Sequence, residues 1–187
     1  MNEVKIYSIS DAYISYLKCD PRLENVFENK SEIHVRKYLG VVFSHGEFNY
    51  FVPFSSPKES DYLLTDGGKV IRKSIIPIIR MTTKDTISGK IELKGTLKLS
   101  NMVPVPETEL VLYDIEAELD RNYKELVKKE WAFIRSNIPM ILKHARVLYN
   151  QKTKAVLLYS DGKTPRYLAS TVDFQYAEQK CKEYQTK

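Results

Sequence analysis

The sequence predicts an α+β fold, an antiparallel β-sheet flanked by α-helices. Runs with strand patterning dominate as far as about residue 115, and runs with helical patterning follow. The two kinds are segregated, whereas a doubly wound fold would alternate them. The length, 187 residues, suits one domain covering residues 1–187. A domain of that size buries roughly 70% of its unfolded surface, so it needs neither a metal nor a disulfide staple. With 43% apolar and 28% charged residues and only 7 Gly and 8 Pro, the composition is that of a folded globular chain.

Val4–Ile9 has the pattern of a short strand, and Ser10 caps a helix over Ser10–Lys18 with Tyr13, Tyr16 and Leu17 on one face. Residues 20–32 are polar and irregular. Val35–Phe43 and Phe48–Phe54 are apolar, aromatic strands joined by a Gly-containing hairpin turn. A loop holds Asp66-Gly67-Gly68. Ser74–Thr82 reads as a strand whose Pro77 favours an edge or bulge, and Lys90–Leu99 as a strand of strict alternation. Met102–Val105 and Glu109–Ile115 continue the β region.

Helical spacing takes over at Asp120–Arg135, with Tyr123, Leu126, Val127 and Ile134 inward. Asn137 followed by Ile138-Pro139 predicts a fresh N-cap and a second helix with Ile138, Ile141, Leu142, Ala145, Leu148 and Tyr149 on its apolar face. Ala155–Tyr159 fits either a short strand or a turn. Phe174, Ala177, Cys181 and Tyr184 mark a C-terminal helix.

No apolar run is long enough to span a membrane and no signal peptide is visible. Cys19 and Cys181 lie far apart, outside any metal spacing, as half-buried packing residues of a reduced, cytoplasmic chain. There is no GxGxxG, GxxxxGK[ST], HExxH, CxxC or GxSxG motif. The three histidines are scattered: His34 is placed to share a strand face with Arg36, His45 falls at an exposed hairpin tip, and His144 on a solvated helix side.

The net charge of +5 is unevenly spread, because residues 30–100 carry 12 Lys/Arg against 7 Asp/Glu. Within that stretch Lys90, Lys94 and Lys98 share the outward face of one predicted strand. Such a row suits a phosphodiester backbone and equally suits edge protection. Pro53-Phe54-Ser55-Ser56-Pro57-Lys58 follows an apolar strand, with Ser56 as N-cap and Pro57 as first helical residue. Hydroxyls, helix-end N–H groups and a lysine there would bind phosphate, although the same residues also make an ordinary strand-to-helix turn.

Further residues carry a family resemblance. Tyr7-Ser8-Ile9 with Tyr13-Ile14-Ser15-Tyr16-Leu17, Arg36-Lys37-Tyr38-Leu39-Gly40-Val41-Val42 and Tyr50-Phe51-Val52-Pro53-Phe54-Ser55-Ser56-Pro57-Lys58 come first. Leu97-Lys98-Leu99-Ser100-Asn101-Met102-Val103-Pro104-Val105, Phe133-Ile134-Arg135-Ser136-Asn137 and Asp173-Phe174 with Glu178 and Lys180 follow in order. Together they resemble the ToxN/AbiQ family, the endoribonuclease toxins of type III toxin–antitoxin systems. The resemblance implies a strongly twisted antiparallel sheet of the SH3-like barrel type, with a MazF/Kid-like core and flanking helices. It implies a metal-independent ribonuclease without cofactor that cuts adenine-rich mRNA, causing growth arrest or abortive phage infection. The implied partners are mRNA substrates and a repeat-encoded pseudoknot RNA antitoxin, joined with the protein in a closed cyclic assembly, with no DNA or membrane partner.

By the same resemblance Ser56 and Lys58 match the catalytic motif, with Ser55 beside them. Arg36 falls where the family carries a basic residue, and Lys37 is the competing assignment. Ser56 would bond a non-bridging phosphate oxygen and Lys58 would stabilise the charged transition state. Tyr13, Tyr38 and Asn101 are candidates to meet unpaired bases, and Lys90, Lys94 and Lys98 to follow phosphates. The general base is not identified. A non-catalytic RNA-binding module on the same barrel and a protein-interaction domain are the rival functions.

Overall fold

The computed structural model describes residues 4–29, 34–155, 159 and 163–186. Its strands are β1 (Lys5–Ile9), β2 (Tyr38–His45), β3 (Phe48–Ser55), β4 (Tyr62–Thr65), β5 (Gly68–Ile71), β6 (Ile78–Lys84), β7 (Ile91–Lys98), β8 (Val103–Pro104) and β9 (Leu110–Leu112). Its helices are α1 (Asp11–Lys18), α2 (Arg121–Thr153) and α3 (Phe174–Gln185).

The expected start of α1 holds. The Ser10 side chain accepts the N–H of Tyr13 at 3.1 Å, satisfying one of the free donors of the first turn, and its hydroxyl donates to Glu109. The second strand begins later than Val35, because Arg36 is drawn into bonds with the carbonyls of Glu28 and Phe54 and regular pairing starts at Tyr38. β2 and β3 are joined by a tight turn in which Gly46 takes φ +57°, a conformation that glycine adopts without steric cost. The Asp66-Gly67 pair proves to be the turn of a small hairpin, β4–β5, closed by the Thr65 hydroxyl on the carbonyl of Gly68 at 2.9 Å. β6 starts at Ile78, since Pro77 has no N–H to give and Ile75 and Ile78 close a turn around it.

All ladders are antiparallel, and the main sheet runs β6-β7-β3-β2-β1-β9, with β8 also on β3. β3 is the pivot: its middle pairs with β8 and its end, Phe54 and Ser55, pairs with Leu97 and Thr96 of β7. The α+β class and the flanking helices hold. The strand order does not establish the SH3-like barrel with its MazF/Kid-like core: β6 and β9 are free edges among the described residues and the sheet is not closed.

The expected break at Asn137–Pro139 is also absent. α2 runs through Pro139 for 33 residues. Val127, Ile134, Ile141 and Leu148, each buried to 1% or less, form one stripe against the sheet on both sides of the proline. Pro139 itself is exposed, and the Asn137 and Ser136 side chains donate to the carbonyls of Phe133 and Ala132 at 2.8 and 3.2 Å. Burial of a continuous stripe outweighs the roughly 3 kcal/mol that an interior proline costs. α3 brings Phe174, Ala177 and Cys181 into the core as its spacing predicts. Cys181 is buried, which pushes its thiol pKa up, whereas Cys19 is exposed. Of Ala155–Tyr159, residues 156–158 lie outside the described residues.

His45 is not an isolated tip residue. Its Nδ1 lies 3.1 Å from Glu178 and 2.8 Å from the Tyr149 hydroxyl, in a cluster completed by the Tyr50 hydroxyl on Glu178 at 2.9 Å. His144 is half-buried rather than solvated, its Nδ1 has no hydrogen-bond partner among the described residues, and desolvation holds its pKa down.

Candidate functional site

The end of β3, the segments on either side of it in space and the first half of α2 enclose a cleft of about 990 Å3. Ser55 ends β3, held by its pairing with Thr96. Ser56 and Pro57 then leave the sheet in irregular backbone, both exposed. The helix expected to begin at Ser56-Pro57 does not form. Only a short 3-10 turn follows, Glu59–Asp61, and its cap position is Lys58. The backbone N–H of Lys58 donates to the Asp61 carboxylate at 2.9 Å, and the N–H of Asp61 donates back to the Lys58 carbonyl at 2.9 Å. That carboxylate is buried, and the guanidinium of Arg80 meets it at 3.0 Å. An anion at Ser56–Lys58 therefore meets hydroxyls and an ammonium group, without a helix N-terminus behind them.

Arg36 closes one side. It donates through Nε to the carbonyl of Glu28 and through a terminal nitrogen to the carbonyl of Phe54, both at 2.8 Å, and lies 5.0 Å from the centre of the Phe27 ring. The guanidinium thus ties the 24–29 segment to the end of β3. Lys37 also lines the cleft although only 7% exposed, with its ammonium 4.1 Å over the Tyr113 ring, and burial pulls its pKa down. Lys94 reaches the cleft from β7 and pairs with Glu92 at 2.5 Å. Asn101 lines the cleft too, and its amide donates to the carbonyl of Asn25 at 2.6 Å.

Seven of the sequence-predicted site residues therefore converge: Ser55, Ser56, Lys58, Arg36, Lys37, Lys94 and Asn101. Four do not. Tyr13 is fully buried with its hydroxyl on the carbonyl of Pro104 at 2.7 Å, and Tyr38 is 1% exposed with its hydroxyl on Asn29. Neither offers a ring face for a base, because both supply core packing and use their polar ends internally. The lysine row is broken. The β6–β7 register slips by one residue at Lys94, so the alternation expected from Lys90 to Leu99 does not continue past it. Lys98 is 8% exposed and its pKa is lowered by burial, while Lys90 is exposed outside the cleft. His34 precedes β2 and shares no strand face with Arg36; it stacks on Tyr123 at 3.8 Å and lies 3.4 Å from Asp120.

One cleft residue escaped the sequence reading. Glu130 of α2 lines the cleft, is 6% exposed, and burial pushes its pKa up to about 8. Two sequence signals marked it: a carboxylate on the helical stripe Val127–Ile134, and Gly95 inside a strand, where a missing side chain signals close approach. A Cβ at position 95 would collide with Glu130 Oε1 and stand 3.0 Å from Met81 Cε. Among the described residues, no group of three His, Cys, Asp or Glu is arranged to hold a metal ion, and no helix is long and apolar enough to cross a membrane.

The arrangement can hold a phosphodiester against Ser55, Ser56 and Lys58, with further positive charge from Arg36, Lys37 and Lys94 and one weakly acidic carboxyl. Comparison with known proteins places the chain in a family. The family model for Toxin ToxN, type III toxin-antitoxin system, matches residues 5–182. Endoribonuclease AbiQ of Lactococcus lactis subsp. lactis is 26% identical over 184 residues, spanning 98% of this chain and 91% of that protein. Endoribonuclease ToxN of Bacillus thuringiensis subsp. kurstaki is 28% identical over 184 residues, 96% and 84% of the two chains. A solved structure from work on selective toxin inhibition by a non-coding RNA pseudoknot in type III systems superposes with a TM-score of 0.76 at 26% identity, over 100% of both chains.

Proposed function

The chain belongs to the ToxN family of type III toxin–antitoxin toxins, and on that premise we propose that it is a metal-independent endoribonuclease that cuts adenine-rich RNA. The observation that carries the reading is the meeting of Ser55, Ser56 and Lys58 with Arg36, Lys37 and Lys94 in one cleft. In this reading the ribose 2′-hydroxyl attacks the adjacent phosphorus, leaving a 2′,3′-cyclic phosphate and a 5′-hydroxyl. The protein aligns that attack and neutralises the charge growing on the phosphorane. Ser56 donates to a non-bridging oxygen, with Ser55 beside it, and the Lys58 ammonium stabilises the dianionic transition state. Asp61 and Arg80 fix the loop from which both act. Arg36 spends two donors on backbone carbonyls, so its share is to shape the cleft wall while adding positive field.

The same cleft takes the antitoxin, a pseudoknot RNA transcribed from tandem repeats, which the toxin processes and which inhibits it in a closed cyclic assembly in the cytoplasm. The toxin's activity, when not inhibited, produces growth arrest or aborts phage infection. Incubating the purified protein with RNA in EDTA tests the proposal. Fragments ending in cyclic phosphate support it, whereas binding without cleavage supports the RNA-binding rival.

A further inference from the structure

Glu130 is set apart from every other acidic side chain of the cleft. It makes no hydrogen bond and no ion pair among the described residues, and it is nonetheless 94% shielded, at 6% relative exposure, on the stripe that α2 turns to the sheet. A buried, unpaired carboxyl is costly to a fold and is kept neutral rather than charged. Space for it is made by the strand it faces: the Glu130 carboxyl occupies the volume that a side chain at Gly95 would need.

That placement puts it in the cleft that the Ser55–Lys58 loop lines. The β3–β7 ladder ends on the pair Ser55 and Thr96, and Gly95 and Ser56 are the next residues along each chain from that last pair, Ser56 already leaving the sheet. The Glu130 carboxyl stands over Gly95, and both Glu130 and Ser56 line the cleft. The titratable and charged groups that share the cleft with it are Tyr123 on its own helix, Lys18 at the end of α1, Glu24, Glu28, His34, Arg36 and Lys37 from the segments before β2, Lys58 from the loop after β3, and Lys94 from β7, while β6 contributes the apolar Met81.

We propose that Glu130 is the general acid of the cleft, giving its proton to the 5′-oxygen as the P–O5′ bond breaks. The proposal rests on the ribonuclease reading above and adds to it the group that handles the leaving oxygen. In the step, the 2′-oxygen forms its bond to phosphorus and its proton passes to water. The P–O5′ bond breaks, and the Glu130 proton becomes the hydrogen of the new 5′-hydroxyl. The carboxylate left behind is reprotonated from solvent before the next turnover. With a pKa raised by burial to about 8, the carboxyl carries its proton at neutral pH, as an acid needs. Lys58 and Lys94 offer charge to the phosphate from exposed or half-exposed stems.

The test uses one short adenine-rich RNA oligonucleotide in two forms, with an ordinary linkage or with sulfur in place of the 5′-bridging oxygen at the cut site. A thiolate leaves without a proton. Glu130→Gln keeps the shape of the neutral carboxyl but cannot transfer its proton. The expected result is a loss of about 10²-fold or more on the ordinary linkage and a rate within about threefold of wild type on the sulfur linkage. The wild-type advantage on the ordinary linkage should also shrink above about pH 8. Equal losses on both linkages, or no loss on either, overturn the role of Glu130 alone. Failure of the wild-type protein to cleave either form overturns the ribonuclease reading and this inference with it.

Discussion

The carboxylate of Asp61 accepts the backbone N–H of Lys58 at 2.9 Å while it holds the guanidinium of Arg80 at 3.0 Å. The loop that carries Ser56 and Lys58 is thus pinned by a carboxylate 1% exposed, itself pinned by an arginine 6% exposed. Removing one partner leaves the other as an unpaired buried charge, which typically costs 3–5 kcal/mol. Asp61→Ala and Arg80→Ala should each destabilise by about that amount in urea titrations, and the double variant by less than the sum. A double variant whose loss equals the sum would mean the pair is not coupled.

Gly95 and Glu130 should also be coupled, through close steric approach rather than attraction. In Gly95→Ala the new methyl group meets Glu130 Oε1 and Met81 Cε, and displacing a packed side chain costs typically 1–3 kcal/mol. Adding Glu130→Ala removes the obstructing carboxyl. The alanine at 95 should then be tolerated, so that the double variant is more stable than the effects of the two single changes summed. Thermal denaturation of the four proteins measures it, and simple additivity would contradict the close approach.

Glu130 also makes stability depend on pH. Its folded pKa, about 8, lies above the ordinary value of 4.5, so between those values the folded state binds more protons than the unfolded one. Stability from this group is complete below pH 4.5 and is lost as pH rises through about 8, with a slope of up to about 1.4 kcal/mol per pH unit. Glu130→Gln removes that dependence. The variant should match wild type near pH 4.5 and be more stable by about 2–4 kcal/mol at pH 8. An unchanged difference across that range would show that the carboxyl is not desolvated.

Lys90 immediately precedes β7 and Lys94 lies on it, yet only Lys94 reaches the cleft. RNA binding, measured with a 2′-O-methyl oligonucleotide that cannot be cut, should weaken with salt for the wild-type protein. Lys94→Ala should lower the slope of log affinity against log salt by about 0.7, the contribution of one phosphate contact on a single strand. Lys90→Ala should leave the slope unchanged. The reverse result would restore the lysine row that the β6–β7 register slip breaks.

What the sequence made legible was local. The Ser10 cap and the inward face of α3 each depend on neighbours within a few residues, and both stand where their spacing puts them, whereas the Ser55–Lys58 motif lines the cleft without the helix its spacing predicts. What it hid depends on distant partners. His45 reads as an exposed tip because Tyr149 and Glu178, which engage it, lie 104 and 133 residues away. Tyr13 and Tyr38 read as aromatic contacts for RNA because a tyrosine looks alike in a core and on a surface until its hydroxyl's partner is known. Pro139 reads as a helix start because the stripe that carries α2 past it is rewarded only by the sheet beneath. The strict alternation of Lys90–Leu99 concealed the bulge at Lys94, and with it the burial of Lys98.

The cleavage role of the Ser55–Lys58 loop is tested most directly by following one RNA oligonucleotide in EDTA with wild type, Ser56→Ala and Lys58→Ala, and identifying the product ends. The wild-type protein should yield a 2′,3′-cyclic phosphate and a 5′-hydroxyl, and each variant should be slower by about 10²–10³-fold, the usual loss for one transition-state donor, while keeping its thermal stability. Variants that cut as fast as wild type would contradict the assignment of this cleft as the catalytic site.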